Sequence, residues 1–262
     1  IMFGVKENNY LGKGLAIDVN ANISTDTLKG KFSVTNPNYK NSDKSLSFNV
    51  QAIEIDRIAD FGYKTNKSGL EIGTKFEYLD DLNLGVGARS FVEKIETDAT
   101  ASARQKKQAG NYFDTFVNFD FDYDKRNQRF RPSDGFRSSY NLDLPLISDN
   151  YTLTNTYNYK YYTSLYENNI SNISLLLKSA VSITGDDVKL TERLLIPSSR
   201  LRGFETGKVG PKDGNDFIGG NYITAVNFTS NLPQVFPTAQ NLDFALFLDA
   251  ANVWGVDYDS SI

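Results

Sequence analysis

Hydrophobic and polar residues alternate along most of the chain. The clearest example is segment 15–24, in which one set of alternate residues is apolar: Leu15, Ile17, Val19, Ala21 and Ile23. The residues between them are mostly polar. Because successive side chains of a β-strand point to opposite faces of the sheet, this period of two predicts strands. No segment of similar length shows a helical period, so the sequence predicts an all-β fold.

The alternation predicts about twelve strands, at residues 1–9, 15–24, 28–37, 44–56, 68–78, 82–95, 112–124, 135–146, 151–163, 170–184, 218–230 and 242–254. Many of them have ten or more residues, whereas strands of soluble sheets usually have about 5–6. Long strands that follow one another without helices predict an antiparallel up-and-down meander.

The predicted connections alternate between two kinds. The short ones contain Gly or Asp, as tight turns require, and lie at 11–14, 79–81 and 132–135. The long ones are polar and lie at 56–67, 96–111 and 185–217. Short turns at one end and long loops at the other are typical of outer-membrane β-barrels.

The two faces of the predicted strands differ in a way that favours a membrane barrel. One face is rich in Asp, Asn, Lys and Ser, which suits a wet interior. The other often ends in an aromatic residue, as an interfacial girdle would: Tyr78, Phe91, Tyr123, Tyr140, Tyr161 and Trp254. No apolar run approaches the ~18 residues of a membrane helix, but a membrane strand needs only about 9–11. A secreted β-sandwich, which also alternates, stays the alternative.

Composition narrows the function classes. Lys plus Arg is 28 and Asp plus Glu is 32, so the net charge is −4 and nucleic acid is not an expected partner. The chain has no Cys and no His. Without the commonest general base and metal ligand, we expect no catalytic site, no metal site and no cofactor. Asp120, Asp122 and Asp124 share one strand face about 7 Å apart, which favours a solvated interior face over a metal site.

Residue Ile1 already falls within a strand pattern, and no signal peptide precedes it. We therefore expect the chain to be part of a longer protein.

The most specific part of the sequence is 196–221. It contains three short motifs in order: Arg202-Gly203-Phe204, Gly210-Pro211-Lys212 and Gly219-Gly220-Asn221. Further matches are Asn9–Gly14, Val34–Pro37, Arg131–Gly135 and Phe247–Asp249 with Val253-Trp254. Together these motifs resemble the barrel domain of the BamA family, the central subunit of the outer-membrane barrel assembly machine. The resemblance covers nearly all 262 residues.

The resemblance implies a transmembrane barrel of sixteen strands, of which this chain carries the second to the thirteenth. Residues 1–262 would form one partial barrel domain, with a long loop at about 185–217 that folds inward. The first strand, the last three strands and the periplasmic POTRA domains of the family would lie outside the chain.

The resemblance also assigns roles to individual residues. Arg202 would fold into the lumen and bind acidic residues on the wall. Asp249 matches one of these; the other, a Glu in the family, falls on Thr229, so Asp120 or Asp122 is a candidate substitute.

The remaining motif residues have simpler implied roles. Gly203 would let the loop tip turn sharply, and Phe204 would pack as an apolar plug against the lumen. The Gly-Pro-Lys and Gly-Gly-Asn motifs are expected to shape the loop and open the next strand.

By resemblance, the function is assembly of other barrel proteins in the bacterial outer membrane, without enzymatic activity. The implied partners are nascent outer-membrane β-barrel proteins, accessory lipoproteins of the assembly machine, and outer-membrane lipid. TamA-like factors and FhaC-like two-partner secretion transporters share this type of loop and stay open as alternatives. A passive porin is a further alternative, and a barrel lipase or protease is disfavoured by the missing His.

Overall fold

The computed structural model describes residues 1–232 and 244–256. The strands in these residues are β1 (Met2–Tyr10), β2 (Leu15–Ile23), β3 (Thr27–Asn36), β4 (Ser45–Arg57), β5 (Tyr63–Leu79), β6 (Leu82–Thr97), β7 (Gly110–Asp124), β8 (Gly135–Ser148), β9 (Thr152–Thr163), β10 (Ser171–Ser182), β11 (Lys212–Asp213), β12 (Asp216–Phe217), β13 (Tyr222–Leu232) and β14 (Phe244–Trp254). Two short helices are α1 (Ile58–Phe61) and α2 (Ala103–Lys107), and 3-10 turns lie at Tyr39–Asn41 and Ser198–Arg200. None of the helices in the described part of the chain could cross a membrane.

Twelve of these strands form one antiparallel sheet in chain order, from β1 to β10 and then β13 and β14. The remaining pair, β11 and β12, forms a separate small hairpin in the connection between β10 and β13. Strands β1 and β14 are the two edges of the sheet. The predicted all-β, up-and-down antiparallel fold is therefore confirmed.

Strand register places like side chains next to each other on each face of the sheet. Asp120 of β7 lies opposite Asn141 of β8, and Phe121 lies opposite Tyr140. The Asp120 carboxylate accepts a hydrogen bond from Asn141, while the rings of Phe121 and Tyr140 are 6.2 Å apart on the other face. A one-residue slip would exchange these faces, so the alternation fixes the register.

The long loop, residues 183–221, lies on the polar, concave face of the sheet. It contributes to two apolar clusters on different parts of the wall. The wall cluster of β10, β13 and β14 contains Leu176, Ala180, Ile223, Ala225 and Val253, packed with loop residues Val188, Leu194 and Ile196. The wall cluster of α1, β5 and β6 contains Phe61, Tyr63 and Ile95, packed with loop residue Leu190. One loop can touch both regions only because the sheet curves around it.

Three details differ from the sequence-based expectations. Strand β5 begins at Tyr63 instead of residue 68, because Tyr63 and Thr65 are buried against the interior although their segment lacks apolar alternation. The predicted long connection 56–67 is correspondingly short. The other strand ends agree within four residues, and positions 242 and 243 of the last predicted strand lie outside the described residues.

The third difference concerns Phe91, which was expected in an outward aromatic girdle. It is 5% exposed and shares the inner face of β6 with Arg89 and Glu93. The Lys67 ammonium and the Arg89 guanidinium both lie over its ring, at 4.7 and 5.8 Å from the centroid. A ring can occupy a polar interior when cations cover its faces.

Candidate functional site

The loop arginine of the Arg-Gly-Phe motif binds a carboxylate on the sheet. The Nε atom of Arg202 donates to Oδ2 of Asp249 at 2.7 Å, and its Nη2 atom donates to Oδ1 at 2.6 Å. The backbone N–H of Arg202 adds a third bond to Oδ2 at 3.0 Å. Paired, parallel bonds of this type fix the orientation of both groups as well as their distance.

Two further wall residues contact the Arg202 guanidinium. Its Nη2 atom donates to Oγ1 of Thr229 at 3.2 Å, and the guanidinium lies 3.9 Å from the ring centroid of Phe247. The Asp249 side chain is only 4% exposed, whereas that of Arg202 is 34% exposed. The loop therefore covers the wall carboxylate while the cation keeps access to water.

A second loop arginine, Arg200, lies beside the first and was not singled out by sequence. Its Nη1 atom donates to Ser174 and Asn227, and its Nη2 atom donates to Asn158, at 2.9–3.3 Å. Burial lowers the pKa of Arg200. Asn227 also donates to Asp249 at 2.9 Å, so this asparagine links Arg200 to the carboxylate that Arg202 binds directly.

The expected acidic substitutes do not reach the loop arginine. Asp120 accepts hydrogen bonds from Asn118 and Asn141, and Asp122 pairs with Arg137 at 2.7 Å. Two asparagine amides thus occupy Asp120, and an arginine of β8 occupies Asp122. The hypothesis that Asp120 or Asp122 binds Arg202 is therefore wrong.

Phe204 does not form the expected apolar plug, since it is 60% exposed. The chain turns at Gly203, whose φ of 86° lies in the left-handed region that favours glycine. Beyond that turn Phe204 joins neither apolar cluster. Leu201, on the near side of Arg202, packs against the cluster on β10, β13 and β14 instead.

The glycine motifs shape the junction between the loop and β13. Gly219 has a φ of 70°, and a Cβ atom on Gly220 would lie 2.5 Å from the Trp254 carbonyl oxygen. Asn221 is 5% exposed, and its N–H donates to Trp254 and Gly255 carbonyl oxygens at 3.0 and 2.9 Å. This motif therefore brings the loop backbone against β14.

The Gly-Pro-Lys motif lies earlier in the loop. A Cβ atom on Gly210, whose φ is 119°, would clash with the Val253 side chain of β14. The Pro211 carbonyl oxygen accepts from Ile218 at 3.1 Å, across the small hairpin, and Lys212 lies over the Phe217 ring. These residues hold the hairpin in shape beside the wall.

A second charged contact joins the loop to the wall and has no motif in the sequence. The Nζ atom of Lys189 lies 2.5 Å from Asp114, 2.8 Å from Glu93 and 3.7 Å from Glu192. The side chains of Lys189 and Asp114 are 0% exposed and that of Glu93 is 1% exposed. Burial acts to lower the pKa of Lys189, but the carboxylates outweigh it and raise that pKa above its usual range.

No group of three or more His, Cys, Asp or Glu residues in the described ranges, 1–232 and 244–256, is placed to hold a metal ion. The interior charges form ion pairs and hydrogen bonds instead. Examples on the wall are Arg137–Asp122, Arg126–Asp124 and Arg89–Asp143.

Comparison with known proteins assigns this architecture to a family. A family model described as the Omp85 superfamily domain matches residues 9–262. The chain belongs to the Omp85 superfamily. It is accordingly an integral β-barrel protein of the outer membrane.

Individual relatives of this Omp85 chain agree with the assignment. It is 23% identical to the outer membrane protein assembly factor BamA of Neisseria meningitidis serogroup B (strain ATCC BAA-335 / MC58), over 98% of this chain and 36% of the relative. The chain therefore spans about a third of the length of that relative.

Two solved structures share the fold. The structure of BamA from Haemophilus ducreyi lacking POTRA domains 1–3 aligns with a TM-score of 0.85 at 21% identity, over 97% of this chain and 55% of that one. CdiB from Acinetobacter baumannii aligns with a TM-score of 0.56 at 12% identity, over 95% of this chain and 45% of that one. The predicted barrel fold is thus confirmed.

In this Omp85 barrel the outward face meets lipid. Exposed apolar side chains recur on it, such as Val226 and Phe228 of β13 and Leu246 and Leu248 of β14. Near the loop end of the same strands, the rings of Tyr222 and Trp254 stack 5.9 Å apart. Aromatic residues with polar atoms are favoured at the boundary between lipid and water.

Proposed function

We propose that this chain is the barrel domain of a BamA-type assembly factor, which folds β-barrel proteins and inserts them into the outer membrane. The observation that carries the proposal is the inward loop, whose motif arginine Arg202 binds Asp249 on the wall. Similarity to the Neisseria outer membrane protein assembly factor BamA supports it.

The interior of the sheet favours action at the side of the barrel over passage through it. The long loop fills the concave face with buried apolar clusters and ion pairs. An incoming strand would instead pair with an exposed strand edge of the factor. Such an edge offers unpaired backbone N–H and C=O groups, and pairing with them lowers the cost of bringing an unfolded strand into lipid.

The proposed activity needs no bond-breaking step. It uses backbone pairing and local disturbance of the bilayer, so we propose a non-enzymatic factor without a cofactor. Its proposed partners are nascent outer-membrane β-barrel proteins, accessory lipoproteins of a BAM-type machine, and the lipid around the barrel.

Depletion of the full-length protein in its own cells tests the proposal. We expect the levels of many unrelated outer-membrane barrel proteins to fall together, and a plasmid copy of the wild-type gene to restore them. Unchanged levels after depletion would reject the assembly role.

The inward loop is also consistent with TamA-like factors and FhaC-like transporters, since the family resemblance implies the same type of arginine loop in both. The same depletion separates the FhaC-like alternative, because depletion of a dedicated transporter should reduce one secreted protein and leave unrelated barrels unchanged. A passive porin should instead conduct steadily in planar bilayers, which the loop-filled interior does not favour.

A further inference from the structure

The first arm of the long loop, residues 187–193, is held by groups from several elements. The Asp187 carbonyl oxygen accepts from Asn150 at 2.8 Å, and the Leu190 N–H donates to Gln108 at 2.8 Å. Thr191 donates to Glu93 at 3.1 Å. These bonds surround Lys189 and place its ammonium among wall carboxylates.

The Lys189 contacts are separate from those of Arg202. Lys189 reaches Glu93 on β6 and Asp114 on β7, whereas Arg202 reaches Asp249 on β14. Strands β8, β9, β10 and β13 lie between these two parts of the wall. The loop therefore has one charged contact at each end of the surface that it covers.

Wall groups also bind the two carboxylates that pair with Lys189. Glu93 accepts from Thr65 at 3.1 Å and lies 3.8 Å from the ammonium of Lys67, while Asp114 accepts a short hydrogen bond from Ser148. A buried carboxylate that is oriented in this way is a prepared acceptor. Removal of its cation leaves an uncompensated buried charge, which is more costly than loss of an exposed pair.

We infer that Lys189 is a positioning residue that clasps the first arm of the loop to β6 and β7, so that the Arg202 tip is held over β13 and β14 only while both contacts are made. We name the Lys189–Glu93–Asp114 contact the first-arm clasp. This inference goes beyond the proposed function, because it concerns the position of the loop in the barrel and not the proteins that the barrel inserts.

The absence of cysteine in the chain makes the loop position measurable by thiol labelling. Ala225 is 0% exposed on β13, in the apolar cluster that the loop covers, so an Ala225→Cys reporter should react only when the loop lifts. Ile95 is 1% exposed and packs with Leu190 near the clasp, so Ile95→Cys reports local opening. Both reporters would be measured in the full-length protein, with any cysteine outside residues 1–262 replaced by serine, after purification and insertion into phospholipid vesicles.

Lys189→Met removes the charge and keeps most of the side-chain length. We expect it to speed labelling at both reporters by about tenfold or more, given the cost of an unpaired buried carboxylate. Lys189→Arg should restore slow labelling. Lys67→Met is the matched control, since it removes a cation near the same Glu93 that belongs to the wall.

Faster labelling at Ile95→Cys alone would mean that Lys189 packs locally without positioning the tip, and would overturn the inference. Equal labelling in Lys189→Met and the wild type would also overturn it. If Lys189→Met does not fold, as judged by heat-dependent gel mobility, Asp114→Asn and Glu93→Gln replace it in the same measurement. If none of these three variants folds, the first-arm clasp is needed for the sheet to fold, and the positioning role is rejected.

Discussion

The Arg202 guanidinium donates to the hydroxyl of Thr229 at 3.2 Å, at the position where the family resemblance places a glutamate. The same loop tip contains a second cation, Arg200, which reaches Asp249 only through the side chain of Asn227. A second carboxylate, at position 229, would meet the Arg202 guanidinium. The loop tip therefore has two positive charges and one carboxylate, so that a further negative charge there would be favourable.

Thr229→Glu should strengthen attachment of the loop tip. Because Arg202 is a third exposed, we expect at most about 1 kcal/mol of added stability. The midpoint of urea unfolding, followed by tryptophan fluorescence, measures this gain. Thr229→Gln, of the same size without the charge, should give no increase, and an equal gain in both variants would contradict the charge argument.

Arg202→Lys tests whether geometry or charge holds the tip. Lysine keeps the positive charge but cannot make the two parallel bonds to Asp249. We expect Arg202→Lys to lose nearly as much stability as Arg202→Ala, on the order of 1–3 kcal/mol for a lost hydrogen bond to a charged group. Protease cleavage of the loop should rise in both variants, and full protection in Arg202→Lys would favour charge alone.

Gly220→Ala should loosen the junction between the loop and β14. The added Cβ atom would lie 2.5 Å from the Trp254 carbonyl oxygen, so the backbone must shift. We expect a loss of about 1–3 kcal/mol, as for other overpacked sites, seen as a lower temperature of unfolding on gels. Gly30→Ala is the control, since its Cβ atom would meet nothing within 4 Å, and an equal loss there would reject the clash.

Glu192 should make loop stability depend on pH. Burial raises the pKa of Glu192, although the nearby Lys189 ammonium acts against it. Between the usual value of about 4.3 and the raised folded value, the unfolded chain is ionised while the folded chain keeps the proton. The contribution of Glu192 to the free energy of unfolding is therefore complete at pH values below the pKa of Glu in the unfolded chain. It decreases as the pH rises through that window.

We expect the urea midpoint of the wild type to fall with rising pH in this window more than that of Glu192→Gln. The amide cannot ionise, so it lacks this contribution. Identical pH profiles of the two proteins would show that another group is responsible.

The strands were predictable because the two faces of each strand meet different surroundings. Lipid on one side and a polar interior on the other select alternate residues, as on β7 and β13. That rule fails at the start of β5, because Tyr63 packs against the loop residue Leu190 and Thr65 is buried against Glu93, so that neither faces water. Where the loop covers the wall, an inner-face residue is buried, so a polar residue is no longer required there.

The contacts of the loop were only partly predictable. The contact between Arg202 and Asp249 follows from a motif, and the structure places both residues together. Lys189 carries no such signal, since its partner Asp114 is 75 residues away in the chain. Its burial depends on a wall that only the folded sheet assembles.

The loop holds on to strands that come both before and after it in the chain. Glu93 and Asp114 lie upstream of it, and Asp249 lies downstream. Contacts between residues distant in sequence form late in folding, because the intervening chain must first be ordered. Complete seating of the loop therefore has to wait for β14, and a barrel with its loop fully docked is one whose strands up to that point are already in register.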